Sequence, residues 1–109
     1  MIFEILLSIG MACSVANAGE MIKIPTDPNA TYEVLEKGGS KQKPTLKTKR
    51  VGSSGASYAI RIFDCAAQTS KYLADGSTLE ALAKSKPSKS MSPIMKDSIA
   101  WYQYKYVCK

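Results

Sequence analysis

The 109-residue chain contains no histidine, only three cysteines and no apolar run long enough to cross a bilayer as a helix. Without histidine, Ser-His-Asp and Cys-His catalytic arrangements are excluded, and the commonest metal ligand is missing. No spacing supports a Ser-Lys dyad, the acidic residues are scattered, and no phosphate-binding or EF-hand loop is present. We therefore predict a small protein that is not an enzyme and that binds neither metal nor cofactor.

The amino terminus has the pattern of a secretory signal peptide. The apolar stretch 2–12 is followed at 16–18 by Ala-Asn-Ala, small residues of the type that signal peptidase requires. We predict that residues 1–18 are a cleaved signal and that residues 19–109 form a single domain. In a rival interpretation Cys13 is the acylated first residue of a lipoprotein, and only then would the protein be attached to a membrane.

The predicted mature domain is basic and retains two cysteines. Removal of Glu4 with the signal leaves 15 Lys and Arg against 8 Asp and Glu, a balance of 15 − 8 = +7. The domain keeps an even number of cysteines, Cys65 and Cys108, and an exported protein folds in an oxidising compartment. One intrachain disulfide is therefore expected. A redox-active or metal-binding thiol pair is disfavoured because there is no Cys-x-x-Cys spacing and no histidine.

Short alternating segments separated by turn residues predict an antiparallel sheet. Residues 21–24 and 31–35 read as two strands or one broken edge strand, and 45–51 as the next strand. Residues 58–63 are apolar on both faces apart from Arg61, which indicates a central strand.

The two segments that follow the predicted central strand are ambiguous between strand and helix. Asp75-Gly76 has the chemistry of a hairpin turn and favours a returning strand through Leu79, although 80–84 contains good helix formers. Residues 98–108 read as a helix capped by Asp97 or Ser98. Its stripe of Trp101, Tyr104 and Cys108 is expected to pack on the sheet.

A basic stretch at 41–50 is the best candidate for contact with a partner. It contains Lys41, Lys43, Lys47, Lys49 and Arg50 and no acidic residue. Such a patch attracts sulfated glycans or acidic host proteins, whereas nucleic acid is disfavoured because no aromatic residue interleaves the charges. The structural alternative is an edge strand that its lysines protect from aggregation.

Tyrosines of the last helix form a second candidate surface. Tyr102 and Tyr106 would line a helix face with Ile99, and a second copy of the chain or a ligand would cover that face if the monomer does not. Partial burial against the edge of the sheet is the structural alternative.

Several motifs of the second half carry a family resemblance. Phe63-Asp64-Cys65 ends a predicted strand, Asp75-Gly76 follows in a turn, and Pro93-Ile94 and Ser98 precede a helix that closes with Tyr106-Val107-Cys108. Over about residues 57–109 this pattern resembles the surface-adhesin protein E family of Gram-negative bacteria. The resemblance implies a small antiparallel sheet with a C-terminal helix tied to it by a Cys65–Cys108 disulfide. It also implies an envelope or surface location and, as in the best-known member, binding of laminin and vitronectin.

We therefore predict an exported, single-domain α+β protein of the Gram-negative periplasm or outer-membrane surface. Its predicted function is adhesion to host extracellular-matrix or serum proteins through a basic surface. The alternative is a periplasmic interaction or inhibitor module that engages another envelope protein through the aromatic helix.

Overall fold

A computed structural model describes residues 19–109, so the predicted signal peptide and Cys13 lie outside the described part of the chain. The elements are β1 (Thr31–Gly39), β2 (Pro44–Gly52), β3 (Gly55–Asp64), β4 (Thr69–Gly76), α1 (Leu79–Lys84), β5 (Ser92–Pro93) and α2 (Ile99–Val107). Between Gly19 and Lys109, neither helix has the length and apolar character needed to span a membrane.

The five strands form one antiparallel sheet in which spatial order equals chain order, from β1 to β5. The predicted central strand is confirmed, since β3 lies third and pairs with β2 and β4. β1 runs further than expected, to Gly39, whose φ of +75° only glycine adopts easily. A Cβ there would also lie 2.5 Å from the Lys43 carbonyl oxygen, so the turn requires glycine.

The segment before β1 adds a short antiparallel stretch to the free edge of that strand. The backbone N–H of Gly19 donates to Val34 O at 2.8 Å, and that of Ile22 donates to Tyr32 O at 2.9 Å. Ile22 and Ile24 are buried. The pattern at 21–24 therefore corresponds to an irregular edge segment with a bridge at Met21.

The core lies between α2 and one side of the sheet, which we call the inner face. Val34, Leu46 and Phe63, from three neighbouring strands, are its most deeply buried side chains. Ile99 and Tyr104 of α2 pack against this cluster. The opposite side of the sheet, the outer face, is covered in part by α1 at the Gly76 end of β4, where Ala74 and Leu82 are buried.

The returning strand predicted after Asp75-Gly76 is wrong, because residues 79–84 form α1. The Thr78 hydroxyl accepts a hydrogen bond from the Ala81 N–H at 3.0 Å, which caps the helix and favours it over a strand. Gly76 lets α1 approach the sheet closely, since a Cβ there would lie 2.7 Å from that of Ala81. The glycine therefore serves a strand-to-helix corner.

A disulfide between Cys65 and Cys108 ties the end of α2 to the end of β3, with Cα atoms 5.6 Å apart. The Tyr104 hydroxyl supports the same junction by donating to Cys65 O at 3.1 Å. Ser98 is the N-cap of α2, and its side chain accepts from the Trp101 N–H. The chain is thus a small α+β domain with an antiparallel sheet and a disulfide-linked C-terminal helix.

The predicted aromatic stripe of α2 is correct for Tyr104 and Cys108 and wrong for Trp101. The two former residues pack against the core, and Trp101 is not part of that cluster. The Lys105 ammonium instead lies 4.1 Å from the centre of the Trp101 ring. Gln103 takes the buried central position of the helix, at 3% exposure.

Candidate binding surface

The outer face carries lysines on both sides of an apolar central strand. Lys47 of β2 pairs with Ile60 of β3, and Ile62 pairs with Lys71 of β4. Directly paired residues of an antiparallel sheet lie on the same face, so these side chains are neighbours. We call this surface the lysine face. Its members are Lys47, Lys49, Lys71, Tyr58, Ile60 and Ile62.

The apolar residues of the lysine face remain partly exposed. Tyr58, Ile60 and Ile62 are each intermediate in burial, and Val51 at the adjoining end of β2 is 43% exposed. Lys49 pairs with Tyr58, and its ammonium lies 5.9 Å from the ring centre. Lysine ammonium groups are therefore held beside aliphatic and aromatic surface.

The five predicted contact residues of the basic stretch do not lie together. Lys47 and Lys49 belong to the lysine face, as their alternation predicts. Lys41 and Lys43 lie in or beside the turn between β1 and β2, where Lys41 O lies 3.8 Å from Cys65 Sγ. The side chain of Arg50 lies on the opposite face of β2 from Lys47 and Lys49, and it forms an ion pair with Asp27.

Arg50 belongs to a small polar cluster at one end of the sheet. Its Nε donates to Asp27 Oδ2 and to the Tyr32 hydroxyl, both at 3.0 Å. Hydrogen bonds from Arg50 and Tyr32 keep the pKa of Asp27 below its usual value. Burial, together with the hydrogen bond to Asp27, raises the pKa of Tyr32 to about 12. The guanidinium is engaged within the fold, so Arg50 has a structural role.

Edge protection does not explain the lysines of β2. That strand lies second in the sheet and is hydrogen-bonded to β1 and to β3 along its length. The register also places Glu33 opposite Lys49 and Glu36 opposite Lys47. The basic stretch contains no acidic residue, but the adjacent strand β1 places Glu33 and Glu36 beside two of its lysines, whereas Ile60 and Ile62 of β3 add no acidic side chain on the other side.

Lys71 and the apolar row of β3 are the members of this surface that the basic stretch does not include. Lys71 lies far along the chain and stands alone among neutral residues, so no local charge pattern marks it. Only the pairing of β3 with β4 brings it beside Ile62. Tyr58, Ile60 and Ile62 are part of the apolar segment 58–63, and the sequence pattern predicts a strand buried on both faces there. In the structure these three residues lie on the outer face and are only partly buried.

The two tyrosines proposed as an interface lie on α2 and pack partly against the core. The Tyr102 hydroxyl donates to Asp97 Oδ1 at 3.2 Å, and the Tyr106 hydroxyl donates to Glu20. The Lys37 and Lys109 ammonium groups lie 5.0 and 5.2 Å from the Tyr106 ring centre. α2 therefore presents a second surface on which lysines border aromatic rings.

Within Gly19–Lys109, no cluster of three or more Cys, Asp or Glu side chains has the geometry to hold a metal ion. The lysine face instead combines positive charge with partly exposed apolar area, which suits association with a larger acidic partner.

The fold and its surfaces define a small disulfide-linked α+β domain with a basic, partly apolar sheet face. No family model, curated protein or solved structure matches the chain. Its resemblance to the surface-adhesin protein E family therefore stays a prediction from the sequence motifs.

Proposed function

We propose that this protein is an exported, non-enzymatic binding protein of the Gram-negative envelope. In this proposal the lysine face binds an acidic segment of a host extracellular-matrix or serum protein, such as laminin or vitronectin. The observation that carries the proposal is the outer face itself. Lys47 and Lys71 flank the partly exposed Ile60 and Ile62, and α1 covers the neighbouring end of β4 at Gly76.

The mixed character of the lysine face favours a protein partner over a sulfated glycan. Ammonium groups attract either ligand, and both attractions weaken as salt rises. Ile60 and Ile62 offer aliphatic area that a protein side chain can bury, whereas a glycan chain has no comparable apolar side chains. Burial of such residues at the centre of a contact, with charges at its rim, is typical of protein interfaces.

A periplasmic interaction module is the second candidate function. The partly exposed aromatic surface of α2 favours it. Trp101 lies outside the core and is partly exposed, with Lys105 over its ring. Tryptophan is enriched among the residues that dominate protein interfaces. In this alternative the ring of Trp101 anchors another envelope protein, and no host ligand exists.

The experiment measures binding of the oxidised protein to laminin, vitronectin and heparin across a salt series. The test variant carries Lys47→Glu and Lys71→Glu. Its matched control carries Lys41→Glu and Lys43→Glu, which changes the net charge by the same amount away from the lysine face. We expect the test variant to bind laminin or vitronectin at least about tenfold more weakly, with a smaller salt dependence, and the control to lose little.

Three results would contradict the proposal. Equal losses in the test and control variants would show that net charge rather than the lysine face governs binding. Binding to heparin alone would assign the surface to a sulfated glycan. Binding to none of the three would favour the periplasmic module, which a Trp101→Ala variant and protease shaving of intact cells then test.

A further inference from the structure

Arg61 is a partly buried cation on the inner face with no carboxylate within 4 Å among residues 19–109. Its Nη2 donates to the Tyr72 hydroxyl at 2.7 Å, and its guanidinium carbon lies 4.1 Å from the centre of that ring. Among residues 19–109, Arg50 and Asp27 form an ion pair, but no carboxylate lies within 4 Å of the Arg61 guanidinium. Arginine has five N–H donors, and those of Arg61 that do not contact Tyr72 are accessible to solvent, since no buried side-chain nitrogen among residues 19–109 lacks a partner.

Partial burial of this guanidinium carries a desolvation cost, and the nearby acid Asp75 lies too far away to form an ion pair with it. Burial lowers the pKa of the Arg61 guanidinium, because desolvation disfavours its charged form. Arginine nevertheless stays protonated in proteins, so the charge persists. The stacked Tyr72 ring offsets part of the cost through its negative face. An anion at the free N–H groups would offset more.

A cavity of about 230 Å³ lies beside this guanidinium, between β4, the segment that leads into β5 and the start of α2. Its walls carry a series of hydroxyl side chains and no acidic residue. We call it the serine cavity. Its charged lining residues are Arg61 and Lys71, and its serines are Ser70, Ser88, Ser90, Ser92 and Ser98.

The lining of the serine cavity matches one class of ligand. A serine hydroxyl can donate one hydrogen bond to an anion, and Arg61 and Lys71 add positive charge to the same lining. The hydroxyls come from three separate segments and can reach oxygens that point in different directions, as in a tetrahedral group. The volume equals that of about seven waters in the liquid. This leaves room for a substituent on the group.

We propose that the serine cavity binds a phosphate or sulfate group, with Arg61 as its counter-charge. Ser70 and the hydroxyls of 88–98 complete the contacts to the oxygens. Lys71 lines this cavity and also belongs to the lysine face, whereas Lys47 and Lys49 do not line it. The proposal does not depend on recognition of a host protein.

The experiment measures thermal unfolding and titration heat of the full oxidised protein with inorganic phosphate, sulfate, acetate or glycerol 3-phosphate. Concentrations run to about 20 mM, with ionic strength held constant by sodium chloride, since general salt effects on stability need much higher concentrations. A ligand that binds only the folded protein raises the unfolding temperature. We expect phosphate or sulfate to do so and acetate to act more weakly.

The test variant is Arg61→Gln, and the matched control is Lys43→Gln, which also removes one positive charge but lies in the turn after β1. We expect at least about tenfold weaker phosphate or sulfate binding in the test variant and unchanged binding in the control. A response to glycerol 3-phosphate that exceeds the response to inorganic phosphate would assign the group to a larger ligand; the reverse order would assign it to the free anion.

Two outcomes would overturn this proposal. One is the absence of any heat or temperature shift in the unmodified protein. The other is an equal response of the Arg61→Gln and unmodified proteins. If the Arg61→Gln variant does not fold, amide NMR shifts of the unmodified protein decide. Shifts confined to 88–98 and the neighbourhood of Arg61 support the cavity, and shifts at Lys47 and Lys49 contradict it.

Discussion

Replacement of Cys65 and Cys108 by serine is expected to lower the free energy of unfolding by about 4 kcal/mol. The two cysteines are 43 positions apart, so the bond closes a loop of 44 residues in the unfolded chain. The chain-entropy relation gives about 13 cal/mol/K for a loop of this length, which is about 4 kcal/mol at 298 K. Domains of this size have total stabilities of about 5–14 kcal/mol, so the loss is a large fraction.

The folded state retains other contacts at the same junction after this change. The Tyr104 hydroxyl still donates to Cys65 O, and the N–H at position 65 still donates to Gln42 O at 3.1 Å. We therefore expect the variant to fold to the same structure, with the loss arising mainly from the freer unfolded chain. Urea unfolding, followed by circular dichroism and Trp101 fluorescence, measures it.

A Tyr104→Phe variant in the oxidised protein is the control, with an expected loss of about 1 kcal/mol for one hydrogen bond. The reasoning is refuted if the double serine variant loses less than about 1 kcal/mol. It is also refuted if intact mass shows two free thiols in the protein prepared under oxidising conditions.

Three further predictions concern the core, a turn and the polar cluster. Phe63→Ala is expected to cost about 3–5 kcal/mol in urea unfolding, because this side chain is fully buried. Gly39→Ala is expected to cost at least about 1–2 kcal/mol by the same assay, from its φ of +75° alone; an unchanged midpoint would contradict this. The pKa of Tyr32 is raised to about 12, so its stabilising effect is full below pH 10 and is lost as pH rises through 12. Unfolding free energies over this range should fall less steeply in Tyr32→Phe. The pKa of Asp27 is lowered, so its stabilising effect has the opposite pH dependence. The free energy of unfolding should fall as pH drops below the usual Asp value of 3.8.

Sequence patterns predict the strands and helix ends that depend mainly on neighbouring residues. The alternation of 45–51 and the apolar run of 58–63 predict β2 and β3. Of the two caps predicted for α2, Asp97 and Ser98, the structure has Ser98. Residues 79–84 were misassigned because the turn signal of Asp75-Gly76 was given more weight than the cap at Thr78. The cap satisfies a backbone N–H directly, whereas the glycine was needed for close packing against Ala81.

The candidate surfaces were harder to predict because they depend on register. Alternation alone separates Lys47 and Lys49 from Arg50. It does not show that Glu36 faces Lys47, or that Lys71 joins them across β3. Irregular pairing in β1 between Val34 and Glu36, and in the β3–β4 pair, changes which residues share a face beyond those points. Such irregularities have no clear local signal in this sequence.

The order of the strands also bears on how the chain reaches its folded state. Each of β1 to β4 pairs with the strand next to it along the chain, so the sheet can grow from hairpins that close over short distances. α2 must instead return from the carboxyl end to the core at Leu46 and Phe63. We expect oxidation of Cys65 with Cys108 to follow this late docking, so that an oxidising enzyme would meet a sheet that is already assembled.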